Sequence, residues 1–116
     1  MTCAVLIVED ELFVALDLED TVEALGYSIA GTCGTLAGTL AAIERQLPTC
    51  AILDVRLPDG EVFPAADLLR DAGVPLIFHS GHADENQLKT RYPDAQVYSK
   101  PCSPNRLREA LLRAAA

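Results

Sequence analysis

No lysine or arginine occurs before Arg45 in this 116-residue chain, whereas Glu9, Asp10, Glu11, Asp17, Glu19, Asp20, Glu23 and Glu44 all do. With a formal net charge of -8, that absence argues against nucleic acid or an anionic membrane as a partner, because both need clustered bases. No stretch approaches the roughly 20 apolar residues of a membrane span. Met1 leads straight into an apolar strand pattern with no basic segment or cleavage site, so no signal peptide is expected and the chain reads as cytoplasmic. Its four cysteines, Cys3, Cys33, Cys50 and Cys102, have neither C-x-x-C pairing nor metal-ligand spacing, and read as small buried hydrophobes. Repeats, low-complexity runs and linkers are missing too, so residues 1–116 are expected to form one domain.

What is present is a run of apolar segments punctuated by turn residues. "CAVLIV" (Cys3 to Val8), "YSIAGTC" (Tyr27 to Cys33), Cys50 to Leu53, "VPLIFH" (Val74 to His79) and "AQVYS" (Ala95 to Ser99) read as five strands. Ala15, Leu18, Val22 and Leu25 recur at helical spacing before Gly26, and Leu36, Leu40, Ile43 and Leu47 do so before Pro48. A third helix begins at Pro64 and ends by Gly73, and a last one follows the N-cap Ser103 with Pro104 at its first position. Between them "ADENQLKTRYPD" is polar, with only Leu88 and Tyr92 one turn apart, which predicts a short, marginal fourth helix. Strands alternating with helices make an α/β fold around a parallel sheet.

Sites in such sheets form outside the carboxyl ends of the strands, and there the unusual residues fall. Glu9 and Asp10 follow the first strand, Asp54 ends the third, Ser80 follows the fourth and Lys100 the fifth. Converging carboxylates repel one another unless a cation joins them, and hard oxygen ligands suit Mg²⁺. A carboxylate nucleophile, a metal, a fixed cation and a hydroxyl are the parts needed to receive a phosphoryl group. Asp54, the one acid standing alone on a central strand, is the choice for the nucleophile. Each residue also has an ordinary reading. Glu9 and Asp10 could be helix N-terminal acids, Ser80 a turn residue before Gly81, and His79 and His82 a strand-end and a loop residue.

Taken in order, "VLIVEDE", "LDVRLPDG", "IFHSG" and "YSKP" resemble the motifs of the receiver domain of bacterial response regulators, and the resemblance covers nearly the whole chain. It implies a flavodoxin-like three-layer sandwich whose five-stranded parallel sheet has the order 2-1-3-4-5. It implies Mg²⁺ held by Asp10, Asp54 and the backbone carbonyl of Arg56, with Glu9 acting through water. Asp54 would accept the phosphoryl group of a phosphohistidine, Ser80 and Lys100 would bind its oxygens, and Lys100-Pro101 would be cis. A histidine kinase or histidine phosphotransfer protein is the implied partner, docking near the first helix and Pro101 to Pro104. The chain would be a signalling module rather than an enzyme, as a monomer or a phosphorylation-dependent dimer.

The chain departs from the family at Val97, where a switch aromatic is common; Tyr98 comes one place later and should face the other side of the sheet. The poorly anchored segment from His82 to Asp94 is therefore expected to carry the switch. The loop after Asp54 looks shortened, and "Phe78-His79-Ser80-Gly81" is similar to a Phe-Ala-Thr-Gly subgroup of single-domain receivers, from which His79 and Ser80 depart. Two other classes compete. A phosphatase or phosphotransferase forming an aspartyl-phosphate would want a second Asp where Arg56 stands. A flavin-binding flavodoxin-like domain would want a phosphate loop where Glu9, Asp10 and Glu11 stand.

Overall fold

The apolar runs become strands of a parallel sheet because helices cover both of their faces. The computed structural model describes residues 3–81 and 85–116, and only the backbone of Ser80. In chain order the elements are β1 (Ala4–Val8), α1 (Leu12–Ala24), β2 (Ser28–Cys33), α2 (Leu36–Arg45), β3 (Cys50–Leu53), β4 (Arg56–Leu57), β5 (Gly60–Glu61), α3 (Phe63–Asp71), β6 (Leu76–Ser80), α4 (Glu85–Arg91), β7 (Gln96–Ser99) and α5 (Pro104–Ala115). The main sheet runs β2-β1-β3-β6-β7 with every pairing parallel. Counted over its own five strands, this is the order 2-1-3-4-5. No helix among the described residues is long and apolar enough to cross a membrane.

Alternation along the strands divides the core in two. Leu6, Val8, Leu53 and Phe78 face α2, α3 and α4, where they meet Ile43, Leu69, Leu88 and Tyr92. Val5, Ile7, Ile52 and Ile77 face α1 and α5, where they meet Leu18, Val22, Leu107 and Leu111. Cys3 and Cys50 are buried in the second cluster, and all four thiols are free. Glycine ends two helices for a conformational reason: Gly26 and Gly73 adopt φ of +80° and +78°, a region costly for a residue with a Cβ.

Three local expectations change. The apolar repeat of α2 does not continue to Leu47. The helix stops at Arg45 and Leu47 is half exposed, because a residue before proline is pushed out of the helical region. The segment after Asp54, read as a loop, is a small antiparallel hairpin, β4-β5. Its tip is tied to a distant helix end: Asp59 accepts the N–H groups of Leu36 (2.7 Å) and Ala37 (3.0 Å), while Thr35 Oγ1 accepts that of Gly38 (3.0 Å). The first-turn donors of α2 would otherwise lack partners, and a negative charge is favoured there.

The N–H bonds from Leu36 and then Ala37 hold the Asp59 carboxyl below the usual carboxylate range. A depressed folded pKa gives stability that is present above the unfolded value of about 3.9 and lost as pH falls through the folded one. Asp59→Ala is therefore expected to lower the thermal midpoint at pH 7, and the gap to wild type should close below about pH 4. A gap that persisted unchanged in acid would separate the effect from the carboxylate.

The third change concerns the segment expected to be poorly anchored. Residues 82–84 lie outside the described residues, but the rest is well held. Leu88 and Tyr92 are buried, and the Tyr92 hydroxyl donates to Asp67 Oδ1 at 2.6 Å. Arg91 reaches Asp67 Oδ2 at 3.1 Å and lies 4.4 Å from the Phe63 ring centroid. The carboxyl end of α4 is thus pinned to α3, and at its other end Ser99 Oγ donates to Glu85 Oε1 (3.3 Å). Polarity in sequence hid this anchoring because the partners come from α3 and β7.

Candidate functional site

Strand register brings the unusual residues together at the carboxyl edge of the sheet. Val8 and Leu53 are paired at the ends of β1 and β3, and hydrogen bonding continues one residue past each. The Glu9 N–H donates to Cys33 O and the Asp54 N–H to Val8 O, both at 2.9 Å. Glu9, Asp10 and Asp54 each offer a carboxylate oxygen, and the three atoms lie within 4.8 Å of one another. Glu9 is 3% and Asp54 7% exposed, while Asp10 is open to solvent.

One cation joins this group. Lys100 Nζ lies 2.6 Å from Glu9 Oε1 and 3.0 Å from Asp54 Oδ2. Burial opposes the charge on Lys100, yet the bonds to Glu9 and then Asp54 prevail and hold its pKa above the ordinary lysine value. For Glu9, burial is the larger influence and raises its proton affinity against the Lys100 bond, with repulsion from Asp54 adding to it. Glu9 Oε2 also accepts the Glu11 N–H (3.2 Å), so both of its oxygens are engaged. Three carboxylates and one ammonium gathered here leave two formal negative charges, which a divalent cation would neutralise.

The donor set fits Mg²⁺, which takes one or two carboxylates together with water and phosphate oxygens. Asp10 is the solvent-exposed acid of the cluster, and Asp54 is the acid shared with Lys100. Arg56 sits between bonded hairpin positions, since the Val62 N–H donates to Val55 O at 2.8 Å and Leu57 pairs with Gly60. By the alternation of an antiparallel ladder, the Arg56 carbonyl is not used in hairpin bonding. Asp10→Ala is expected to weaken Mg²⁺ binding more than Glu9→Ala. The Glu9 loss should fall within the roughly 10- to 100-fold range of outer-shell partners. NMR shift titrations with Mg²⁺ would check the ranking, and equal losses would contradict it.

The remaining expected residues divide. Ser80 ends β6 by its backbone, opposite Ser99, and the Lys100-Pro101 peptide is cis. Val97 packs on the α2–α4 side of the sheet and Tyr98 on the α1/α5 side. The Tyr98 hydroxyl donates to Gln96 Oε1 (3.0 Å), and the Arg106 guanidinium lies 5.2 Å from its ring centroid. His82 lies outside the described residues. Two features escaped the sequence reading. Leu12, Phe13 and Leu16 form an exposed apolar ridge on α1, Phe13 being 81% exposed, although a spacing of i and i+4 off the buried face could have flagged it. His79, read as a plain strand-end residue, is 5% exposed and lines the floor of a groove between α1 and α5.

Comparison with known proteins agrees with this geometry. The family model "Response regulator receiver domain" matches residues 5–112. The chain is 33% identical over 107 residues to the phyllosphere-induced regulator PhyR of Methylorubrum extorquens, covering 90% of this chain but 40% of that protein. The solution structure of SdrG from Sphingomonas melonis is 34% identical with a TM-score of 0.82, covering 99% and 98% of the two chains. The PhyR receiver domain of Erythrobacter litoralis is 29% identical with a TM-score of 0.86, covering 97% and 89%. With that match over nearly its full length, its flavodoxin-like sheet and its acid cluster at the sheet edge, the chain belongs to the response regulator receiver domain family.

Proposed function

We propose that this domain accepts a phosphoryl group on Asp54 in a Mg²⁺-dependent reaction, and so acts in signalling rather than turning over a substrate. The observation carrying this reading is Lys100, whose ammonium is bonded to Asp54 and Glu9 inside the acid cluster. Asp54 Oδ attacks the phosphorus of a phosphohistidine; the P–N bond breaks and its electron pair stays on the leaving imidazole. Asp10 and Asp54, with the Arg56 carbonyl, would hold Mg²⁺, and when bound the ion supplies charge neutralisation at the phosphoryl oxygens. Lys100 faces the charge that develops there, and the Ser80 hydroxyl, which lies outside the described atoms, would bind the same group. Glu9 keeps Lys100 aimed at Asp54 and would reach a bound ion through water.

The donor is a histidine kinase or a histidine phosphotransfer protein. It has to cover this edge of the sheet, beside which the exposed Leu12, Phe13 and Leu16 offer the apolar contact that protein interfaces use. Incubation with Mg²⁺ and acetyl phosphate, followed by intact-mass measurement, tests the reading. One added phosphoryl group is expected with Mg²⁺ and none without it. Absence of labelling under both conditions would refute it.

A further inference from the structure

We propose that His79 is a specificity-determining residue for the phosphodonor, a buried hydrogen-bonding group that reads one uncharged polar side chain entering the groove between α1 and α5. The inference rests on the phosphoacceptor function proposed above and adds the chemistry by which the donor is recognised. The groove encloses about 680 Å³. Val14, Leu18 and Leu107 give it apolar walls, Asp17 and Asp20 an acidic side, and Lys100 joins it to the acceptor site. A donor delivering phosphohistidine to Asp54 must lie across this opening. Bases on the donor suit the acids of α1, and apolar groups suit the walls.

His79 is the part that apolar packing does not explain. Both ring nitrogens are buried, and neither has a hydrogen-bond partner among the described residues. An unpaired buried polar group costs free energy that an apolar side chain of similar size would not. Burial first, and then the Lys100 charge, depress its pKa, with Asp54 opposing. A ring buried beside the Lys100 ammonium with neither nitrogen paired suits the neutral form, with one donor and one acceptor nitrogen. Such a ring favours an amide or hydroxyl over an ion. Docking turns the ring, which already lines the groove, until one nitrogen meets the incoming group. A donor lacking that group would leave the imidazole unpaired under the interface and be rejected.

The test compares wild type with His79→Leu and His79→Gln. Acetyl phosphate with Mg²⁺ serves as one donor, and a phosphorylated histidine-kinase dimerisation domain as the other. Rates with acetyl phosphate should stay within about twofold, because that donor makes no groove contact. With the protein donor, KM for transfer should rise about tenfold in His79→Leu with little change in the maximal transfer rate, the size expected of one net hydrogen bond. His79→Gln should recover most of the loss. The thermal midpoint of His79→Leu should rise, since the unpaired ring is gone. An unchanged KM, or a KM rise accompanied by lost stability, would overturn the proposal. A parallel fall with acetyl phosphate would do so as well, by placing His79 in the acceptor site itself. If acetyl phosphate labels wild type and the phosphohistidine protein does not, this inference fails alone. If neither labels it, the phosphoacceptor reading fails.

Discussion

Asp54→Asn is expected to take up no phosphoryl group from any donor, at any Mg²⁺ concentration. The amide keeps the shape of the carboxyl and can still meet Lys100, but it has no anionic oxygen to attack phosphorus. No nearby acid among the described residues is placed to substitute. Glu9 is buried with both oxygens engaged, Asp10 projects to solvent without a lysine contact, and the Asp59 carboxylate is spent on the N-terminus of α2. Intact mass under conditions that fully label wild type is the check. Full labelling of the Asn variant would move the acceptor elsewhere.

Lys100→Ala is expected to slow phosphorylation by acetyl phosphate about 100- to 1,000-fold, the usual cost of deleting one preorganised group facing developing negative charge. Part of that cost lies before the reaction, since Glu9 and Asp54 share this one ammonium at 2.6 and 3.0 Å and would face each other uncompensated. Lys100→Arg should recover little. A planar guanidinium cannot replace a compact ammonium fitted between two carboxylates. Rapid-quench labelling rates give the number, with circular dichroism showing that the variants keep their fold. A rate within threefold of wild type for the Ala variant would remove Lys100 from the chemistry.

The doubly covered strands were legible because continuous apolar runs such as Val5 to Val8 and Cys50 to Leu53 are what such strands require, whereas their order followed from the resemblance to receiver domains. The acids and Lys100 were legible for a related reason: a charge at the end of a buried strand has few structural uses. What stayed hidden depends on partners distant in sequence. Asp59 looks like a turn residue, and nothing within the chain's local pattern announces that it caps a helix more than 20 residues earlier. Tyr92 reads as one aromatic in a polar stretch until Asp67 and Phe78 are placed around it, the Phe78 ring centroid 5.1 Å away. His79 lies in an apolar strand, and only the packing of α1 and α5 shows that its ring lacks a partner.

The central claim is that one carboxylate at the edge of the sheet carries the phosphoryl group because the acid cluster and Lys100 converge on it. Borohydride reduction of the phosphorylated protein followed by peptide mapping tests this most directly, since an acyl phosphate is reduced where it stands and aspartate becomes homoserine. After acetyl phosphate treatment with Mg²⁺, homoserine is expected at position 54 alone, and its yield should collapse when the metal is chelated. Homoserine at position 10 or 59, or equal yield at position 54 without Mg²⁺, would contradict the account.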